Sequence, residues 1–232
     1  MKIAVIGTGK TGGEVVELID DKNIIGPFNS THKPTLEALQ QADVSIIFVP
    51  GSAVDNIFNT VLESGTPAVW GSTGYEWPPD LDQQLKERGL KWLKASNFSL
   101  GMNIVRRCLQ LISKGSELLD DPEFHIHEVH HTDKLDAPSG TAISWKEWLD
   151  KDAEITSERK GDIKGIHKLH MKTKSESIWL KHQAHERAVF AKGAIWSAEQ
   201  LLKNSTAPGF HDIESIFDNV IATEVPRHLG IE

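Results

Sequence analysis

Between Glu128 and Thr141 the chain reads Glu-Val-His-His-Thr-Asp-Lys-Leu-Asp-Ala-Pro-Ser-Gly-Thr, a run that holds the residue types needed for acid–base work on an anion. Two adjacent imidazoles, His130 and His131, stand beside the ammonium of Lys134 and three carboxylates, Glu128, Asp133 and Asp136. An imidazole exchanges a proton near neutral pH, and an ammonium neutralises a carboxylate or stabilises developing charge. The closing Pro-Ser-Gly-Thr reads as a helix entrance with Ser139 as N-cap. The amides of Gly140 and Thr141 would then lie at the positive end of that helix, where a carboxylate or phosphate is held well.

These groups need a scaffold. Phe124 to His130 alternates as a strand, with Phe124, Ile126, Glu128 and His130 on one face and His125, His127, Val129 and His131 on the other. If the strand ends at Thr132-Asp133, the loop can turn both imidazoles and Lys134 toward one pocket. On the far side Ala142, Ile143, Trp145, Trp148 and Leu149 give a helix with one apolar face. Taken alone, the run also fits a polar surface loop followed by a capped helix.

The first part of the chain alternates strands (3–6, 24–28, 44–49, 67–70, 90–93) with helical patterns (12–19, 35–42, 53–63, 80–88). That alternation specifies a parallel sheet covered by helices, an α/β domain of Rossmann type. Its first turn, Gly7-Thr8-Gly9-Lys10-Thr11-Gly12, follows a strand and opens a helix, which is the setting a dinucleotide fingerprint requires. Where the second strand ends, an acid would favour NAD and an arginine NADP; the chain has Asn29-Ser-Thr-His-Lys33, so NADPH is mildly favoured and NADH stays open. Gly71-Ser72-Thr73-Gly74 and Ala95-Ser96-Asn97-Phe98 fall at later strand ends on the ligand side of such a sheet. A helix from Asn103 to about Leu119 leads to the histidine strand, residues 152–160 read as a polar loop, and 166–172 and 177–184 read as two exposed antiparallel strands. An amphipathic helix, 188–203, and a tail leading into a short last helix complete the chain.

Composition narrows the function. A net charge of −8 argues against nucleic acid, so anions must be held by local cationic patches. Cys108 is the one cysteine; it sits in a helical apolar pattern and reads as a buried thiol in a reducing compartment. No apolar run approaches membrane-spanning length and no signal peptide is read, which points to the cytoplasm. No metal is expected.

The run from Glu128 to Ala142 resembles the signature of the dihydrodipicolinate reductase family, Glu-x-His-His-x-x-Lys-x-Asp-Ala-Pro-Ser-Gly-Thr-Ala. Arg159-Lys-Gly-Asp-Ile-Lys-Gly-Ile-His167, His182-Gln-Ala-His-Glu-Arg187 and Phe190-Ala-Lys-Gly-Ala194 are also similar to family segments. The resemblance implies NAD(P)H-dependent reduction of 4-hydroxy-tetrahydrodipicolinate in lysine and diaminopimelate biosynthesis. It gives His130 the proton-donor role, Lys134 a second catalytic role, and His131, Gly140 and Thr141 the substrate carboxylates, with 71–73 and 95–98 bordering the nicotinamide. It also implies a dinucleotide-binding domain of residues 1–98 and 188–232, into which an α+β substrate and oligomerisation domain, 99–187, is inserted. The domains should close over a small dicarboxylate, and the protein should be a homotetramer built on the open mixed sheet of the second domain. The chain departs from the pattern at Lys10-Thr-Gly-Gly13, in the short stretch before Thr35, at Val49-Pro-Gly51, and in a shortened 150–159 segment that weakens the expectation of a tetramer. The competing readings are another two-domain NAD(P)-dependent amino acid or semialdehyde dehydrogenase, and a non-catalytic dinucleotide-binding regulator; the latter should show a damaged 128–142 loop.

Overall fold

A computed structural model describes residues 1–223, and the last stretch of the expected nucleotide domain, 224–232, lies outside the described residues. The chain divides into two units, one formed by Met1–Ser99 and the chain from Ala188 onward, the other by Leu100–Arg187.

In the first unit, β1 (Ile3–Ile6), β2 (Ile24–Phe28), β3 (Val44–Ile47), β4 (Ala68–Trp70) and β5 (Lys91–Lys94) alternate with α1 (Lys10–Leu18), α2 (Leu36–Leu39), α3 (Asp55–Ser64) and α4 (Leu81–Glu87). The chain continues through α5 (Leu100–Ser116), β6 (Glu123–His130), α6 (Gly140–Leu149), β7 (Glu154–Arg159), β8 (Ile166–Lys172) and β9 (Ser177–Gln183) of the second unit. It then returns to the first unit as α7 (Ala188–Leu202), β10 (Gly209–Asp212) and α8 (Ile213–Thr223).

The six strands of the first unit lie in the order β10-β5-β4-β3-β1-β2, all parallel. Helices cover both faces of such a sheet, so every residue of β1 and β3 is buried; this is why they read as unbroken short-side-chain and apolar runs without alternation. The chain leaves β1 toward β2 on one side and the β3 side is filled by the next crossover, creating a topological switch point outside the carboxyl ends of β1 and β3. The tail at Gly209–Asp212 is a sixth strand paired in register with β5, a strand too short to give a pattern of its own. The helical pattern at 35–42 shortens to four residues, capped by Thr35 Oγ1, which accepts from the amide of Ala38 at 3.2 Å.

The second unit has a mixed sheet, β7-β6-β8-β9, with β7 parallel to β6 and the other pairs antiparallel. One face is packed by α5 and α6 around Met102, Leu109, Ile126, Trp145, Leu149 and Leu169. The other presents His125, His127, Lys168, His170 and Trp179, with the last two rings stacked at 3.8 Å.

Three expectations are corrected. Residues 152–160 do not form a loop: β7 spans most of them and extends the sheet edge from β6, so the segment adds sheet-edge material. Its Glu-Ile-Thr-Ser-Glu-Arg sequence is polar because an edge strand buries little of its surface. Strand β8 is interior, not exposed, with His167, Leu169 and Met171 buried on alternating positions. Cys108 is half-buried on α5 rather than buried.

Candidate active site

Strand alternation turns Glu128 into the same covered face as Ile126, and Glu128 is fully buried. An isolated carboxylate there would cost several kcal/mol, so its partners define the site. Its Oε1 accepts from the amide of Ser139 at 3.0 Å and from Arg159 Nη2 at 3.2 Å. Its Oε2 lies 3.1 Å from His130 Nδ1 and 3.7 Å from His167 Nε2. Burial pushes the Glu128 carboxyl up, but hydrogen bonds from Ser139, Ser157 and Arg159 outweigh it and hold the group below the usual carboxylate range.

His130 is buried, and its Nδ1 and Glu128 Oε2 have no hydrogen-bond partner of full geometry among the described residues. They face each other within ion-pair distance, so each is the nearest group able to satisfy the other. Burial lowers the pKa of His130, Glu128 and Asp136 oppose that shift, and Lys134 and Arg159 add to it. The imidazole paired with His130 is His167, with ring centroids 5.1 Å apart, rather than His131. Burial first, and His130 second, lower the pKa of His167 to about 4, so it is neutral at physiological pH.

Arg159, from the strand that the sequence reading missed, also fixes the loop after β6. Its Nε donates to the carbonyl of Lys134 at 3.1 Å and its Nη2 to the carbonyl of Asp136. The amide of Lys160 donates to the carbonyl of His130 at 2.8 Å, and the amide of Thr132 to that of Gly161 at 3.2 Å. The ammonium of Lys134 is held by both carboxylate oxygens of Asp136. Hydrogen bonding to Lys134 keeps the Asp136 carboxyl below its usual range.

Ser139 caps α6 as its residue type suggests: Oγ accepts from the amide of Ala142 at 3.2 Å. Gly140 is exposed and Thr141 partly so in the first turn, where main-chain amides have no intrahelical partner. His131 is partly exposed, one residue past the end of β6. The structure thus joins His130, the Lys134 loop and the α6 tip through Glu128 and Arg159; His131 joins that loop through its carbonyl, which accepts from the amide of Lys134 at 3.2 Å. The roles of Glu128, Arg159 and His167 were not read from the pattern, although all three stand in segments with family-like spacing.

In the first unit the turn after β1 is shaped for close backbone packing. Gly7 has φ +93°, and a methyl there would overlap the carbonyl of Phe48; one at Gly12 would overlap the carbonyl of Gly7. Gly9 has open space around it. Gly7, Thr8 and Gly9 border a cavity of about 500 Å³ with Asn29, Ser30 and Lys33 on its far side. Among the described residues no carboxylate lines it. Asn29 Oδ1 accepts from the amides of Thr31 and His32, both at 2.9 Å, and so shapes the loop that carries Lys33. Lys10 and Thr11 open α1. Gly71, Ser72 and Thr73 follow β4, and Ala95 to Phe98 follow β5, at the same carboxyl ends of the sheet. Gly71 faces the Phe48 ring where a methyl would clash, and the buried Ser72 hydroxyl has no hydrogen-bond partner among the described residues. These features fit a dinucleotide whose pyrophosphate meets the Gly-rich turn and the start of α1. A larger groove of about 790 Å³ borders α5 and α6 of the second unit, where Arg107, Lys114 and Lys151 mix with Glu117 and Glu147 and no single ligand chemistry is favoured.

Residues 101–217 match the family model described as dihydrodipicolinate reductase, C-terminus. A 4-hydroxy-tetrahydrodipicolinate reductase of Bdellovibrio bacteriovorus is 31% identical over 93% of this chain and 96% of its own length. One of Haloarcula marismortui is 29% identical over 94% of this chain and 99% of its own. Among solved structures, a dipicolinate-bound dihydrodipicolinate reductase from Paenisporosarcina sp. TG-14 aligns with a TM-score of 0.73 at 19% identity, covering 93% of this chain and 99% of that one, which shows a shared fold.

Proposed function

The chain belongs to the dihydrodipicolinate reductase family, and on that premise we propose that it reduces 4-hydroxy-tetrahydrodipicolinate to tetrahydrodipicolinate with NADPH or NADH, in lysine and diaminopimelate biosynthesis. The observation that carries the reading is the junction at Glu128, where one buried carboxylate links the imidazole of His130, the loop of Lys134 and the tip of α6.

The substrate is a small ring with two carboxylates. In our reading the amides of Gly140 and Thr141 and the side chain of His131 hold those carboxylates, because free amides at a helix start and a nearby cation favour anions. Lys134 exchanges its bond to Asp136 for the substrate, the 4-hydroxyl leaves as water, and His130 delivers a proton to the conjugated ring position that gains electron density when hydride reaches its neighbour. The residues Gly7 to Gly12, Gly71 to Thr73 and Ala95 to Phe98 would hold the nucleotide, which when bound supplies the hydride. Asn29, Ser30 and Lys33 at this cavity, with no carboxylate beside them among the described lining residues, support NADPH over NADH.

No helix among the described residues is long and apolar enough to cross a membrane. A cytoplasmic location follows from the biosynthetic reading and the single cysteine, Cys108. A homotetramer built on the open face of the β7-β6-β8-β9 sheet is also part of this proposal, supported by the exposed Trp179 on β9, which stacks on His170 of that face.

The test is to supply freshly made substrate from the preceding synthase reaction and follow oxidation of NADH and NADPH in the near ultraviolet. His130→Gln and Lys134→Ala are run beside the parent. Large losses in turnover in both variants are expected; parent-like rates would remove both residues from the chemistry.

A further inference from the structure

We propose that Glu128 is the positioning residue for His130: its Oε2 accepts a hydrogen bond from Nδ1–H, so that Nε2 is the nitrogen that exchanges a proton with the ligand. This deepens the proposed reductase reading, since it assumes His130 acts there. The first ground is geometric. Nδ1 lies 3.1 Å from Oε2, both atoms are buried, and neither has a completed hydrogen bond elsewhere among the described residues. The other edge of the ring is different: Nε2 is beside Gly165, where a methyl would come to 3.2 Å, so the absence of a side chain keeps that nitrogen uncrowded.

The second ground is that the carboxylate is itself immobilised. Oε1 accepts from the Ser139 amide and from Arg159, which come from the cap of α6 and from β7. Glu128 therefore fixes the tautomer of His130 while sharing its anchor with the α6 tip and, through Arg159, with the Lys134 carbonyl. A carboxylate that orients an imidazole and stabilises its cation is an established way to prepare a proton donor. The atoms of Glu128, His130 and His167 also lie within 4.8 Å of one another, a spacing suited to a divalent cation. Arg159 already supplies positive charge to that carboxylate, so a proton is the ion this group is built to handle.

The charged and titratable groups around His130 are Glu128 on its own strand, His167 on β8, Arg159 on β7, and Lys134 and Asp136 on the following loop. Of these, Glu128 is the strongest stabiliser of the imidazolium. Replacing it by Gln keeps an oxygen for the Ser139 amide and Arg159, and turns an NH₂ group toward Nδ1. The neutral ring must then carry its proton on Nε2, and the imidazolium loses its partner.

The experiment is imidazole ¹⁵N NMR on the parent and on Glu128→Gln, together with the pH dependence of kcat and KM. In the parent the neutral His130 should carry its proton on Nδ1; in Glu128→Gln the proton moves to Nε2. The proton-donor form is lost as pH rises through the His130 pKa, so the alkaline limb of the rate profile should shift to lower pH in the variant. Turnover should fall roughly 100-fold or more, with KM changed much less. Glu128→Asp, which keeps the charge, should restore part of the turnover and the parent limb. An Nε2-protonated His130 in the parent, or a Glu128→Gln profile that matches the parent, overturns the assignment. The parent NMR requires no variant to fold. If Glu128→Gln switches the tautomer while His130→Gln retains parent turnover, the tautomer assignment stands and the proton-donor reading of His130 is what fails.

Discussion

The ammonium of Lys134 lies 2.7 and 2.8 Å from the two carboxylate oxygens of Asp136, two residues on along the same loop. This closed local pair withholds the cation that the proposed chemistry needs for an incoming dianion. The Asp136 side chain is more than half exposed, so the pair is weak enough to exchange.

Asp136→Asn should therefore free Lys134 and remove a charge that repels the substrate. An exposed pair of this kind is worth about 0.2–1 kcal/mol, so KM for the dicarboxylate should fall by up to about 5-fold. Steady-state kinetics check this, and a KM that rises would show that Asp136 orders the loop rather than restraining the lysine.

Arg159→Met leaves the fully buried Glu128 without its guanidinium. Breaking a buried pair costs about 3–5 kcal/mol, and partial exposure of Arg159 puts this case near 3 kcal/mol. The apparent melting temperature should drop by roughly 6–12 °C. Adding Glu128→Gln to that variant should return part of the loss; a double variant no more stable than the single one would show that charge burial is not the cause.

His167 is held from an ordinary 6.5 to about 4 by burial. The folded protein resists protonating it while the unfolded chain does not, so stability is full above pH 6.5 and declines as pH falls toward 4. The decline should reach about 3 kcal/mol, and His130 and His182, lowered in the same direction, add to it. Glu128, held low, loses its contribution only at more acidic pH, as its carboxylate becomes protonated in the folded state. Denaturant melts across this range should be flatter for His167→Gln than for the parent. An unchanged slope would mean the acid sensitivity arises elsewhere.

Lys33 borders the cavity at the Gly-rich turn, on a loop shaped by Asn29. If it receives the extra phosphate of NADPH, Lys33→Ala should lower kcat/KM for NADPH by about 5-fold, near 1 kcal/mol, and leave NADH within about 2-fold. Equal losses with both nucleotides would remove Lys33 from cofactor choice.

Much of this was legible in the chain because periodicity reports burial directly. The runs at Ile3–Ile6 and Val44–Ile47 are apolar or small because helices cover both faces of their sheet, and Ser139 caps α6 as its chemistry demands. What escaped notice was non-local. Residues 154–159 look polar because an edge strand is mostly wet, yet Arg159 at their end neutralises Glu128, far back in the sequence. A glutamate in strand alternation gives no sign of whether it is buried until its partner is known. The pairing of His130 with His167 likewise depends on the antiparallel register that sets Glu128 opposite His167. Strand β10 was hidden for another reason: four residues beside a single neighbour carry too little pattern to be distinguished from a tail.

The sheet begun at Ile3 receives its outer strand, β10, and the α7 layer, whose Ala191, Ala194 and Ala198 are buried, only after the whole middle unit has been translated. On the ribosome the middle unit can therefore complete its own core first, while the amino-terminal half waits with its apolar sheet surface uncovered. The nascent amino-terminal half is thus the part of this protein most in need of a chaperone, and the last to reach its finished form.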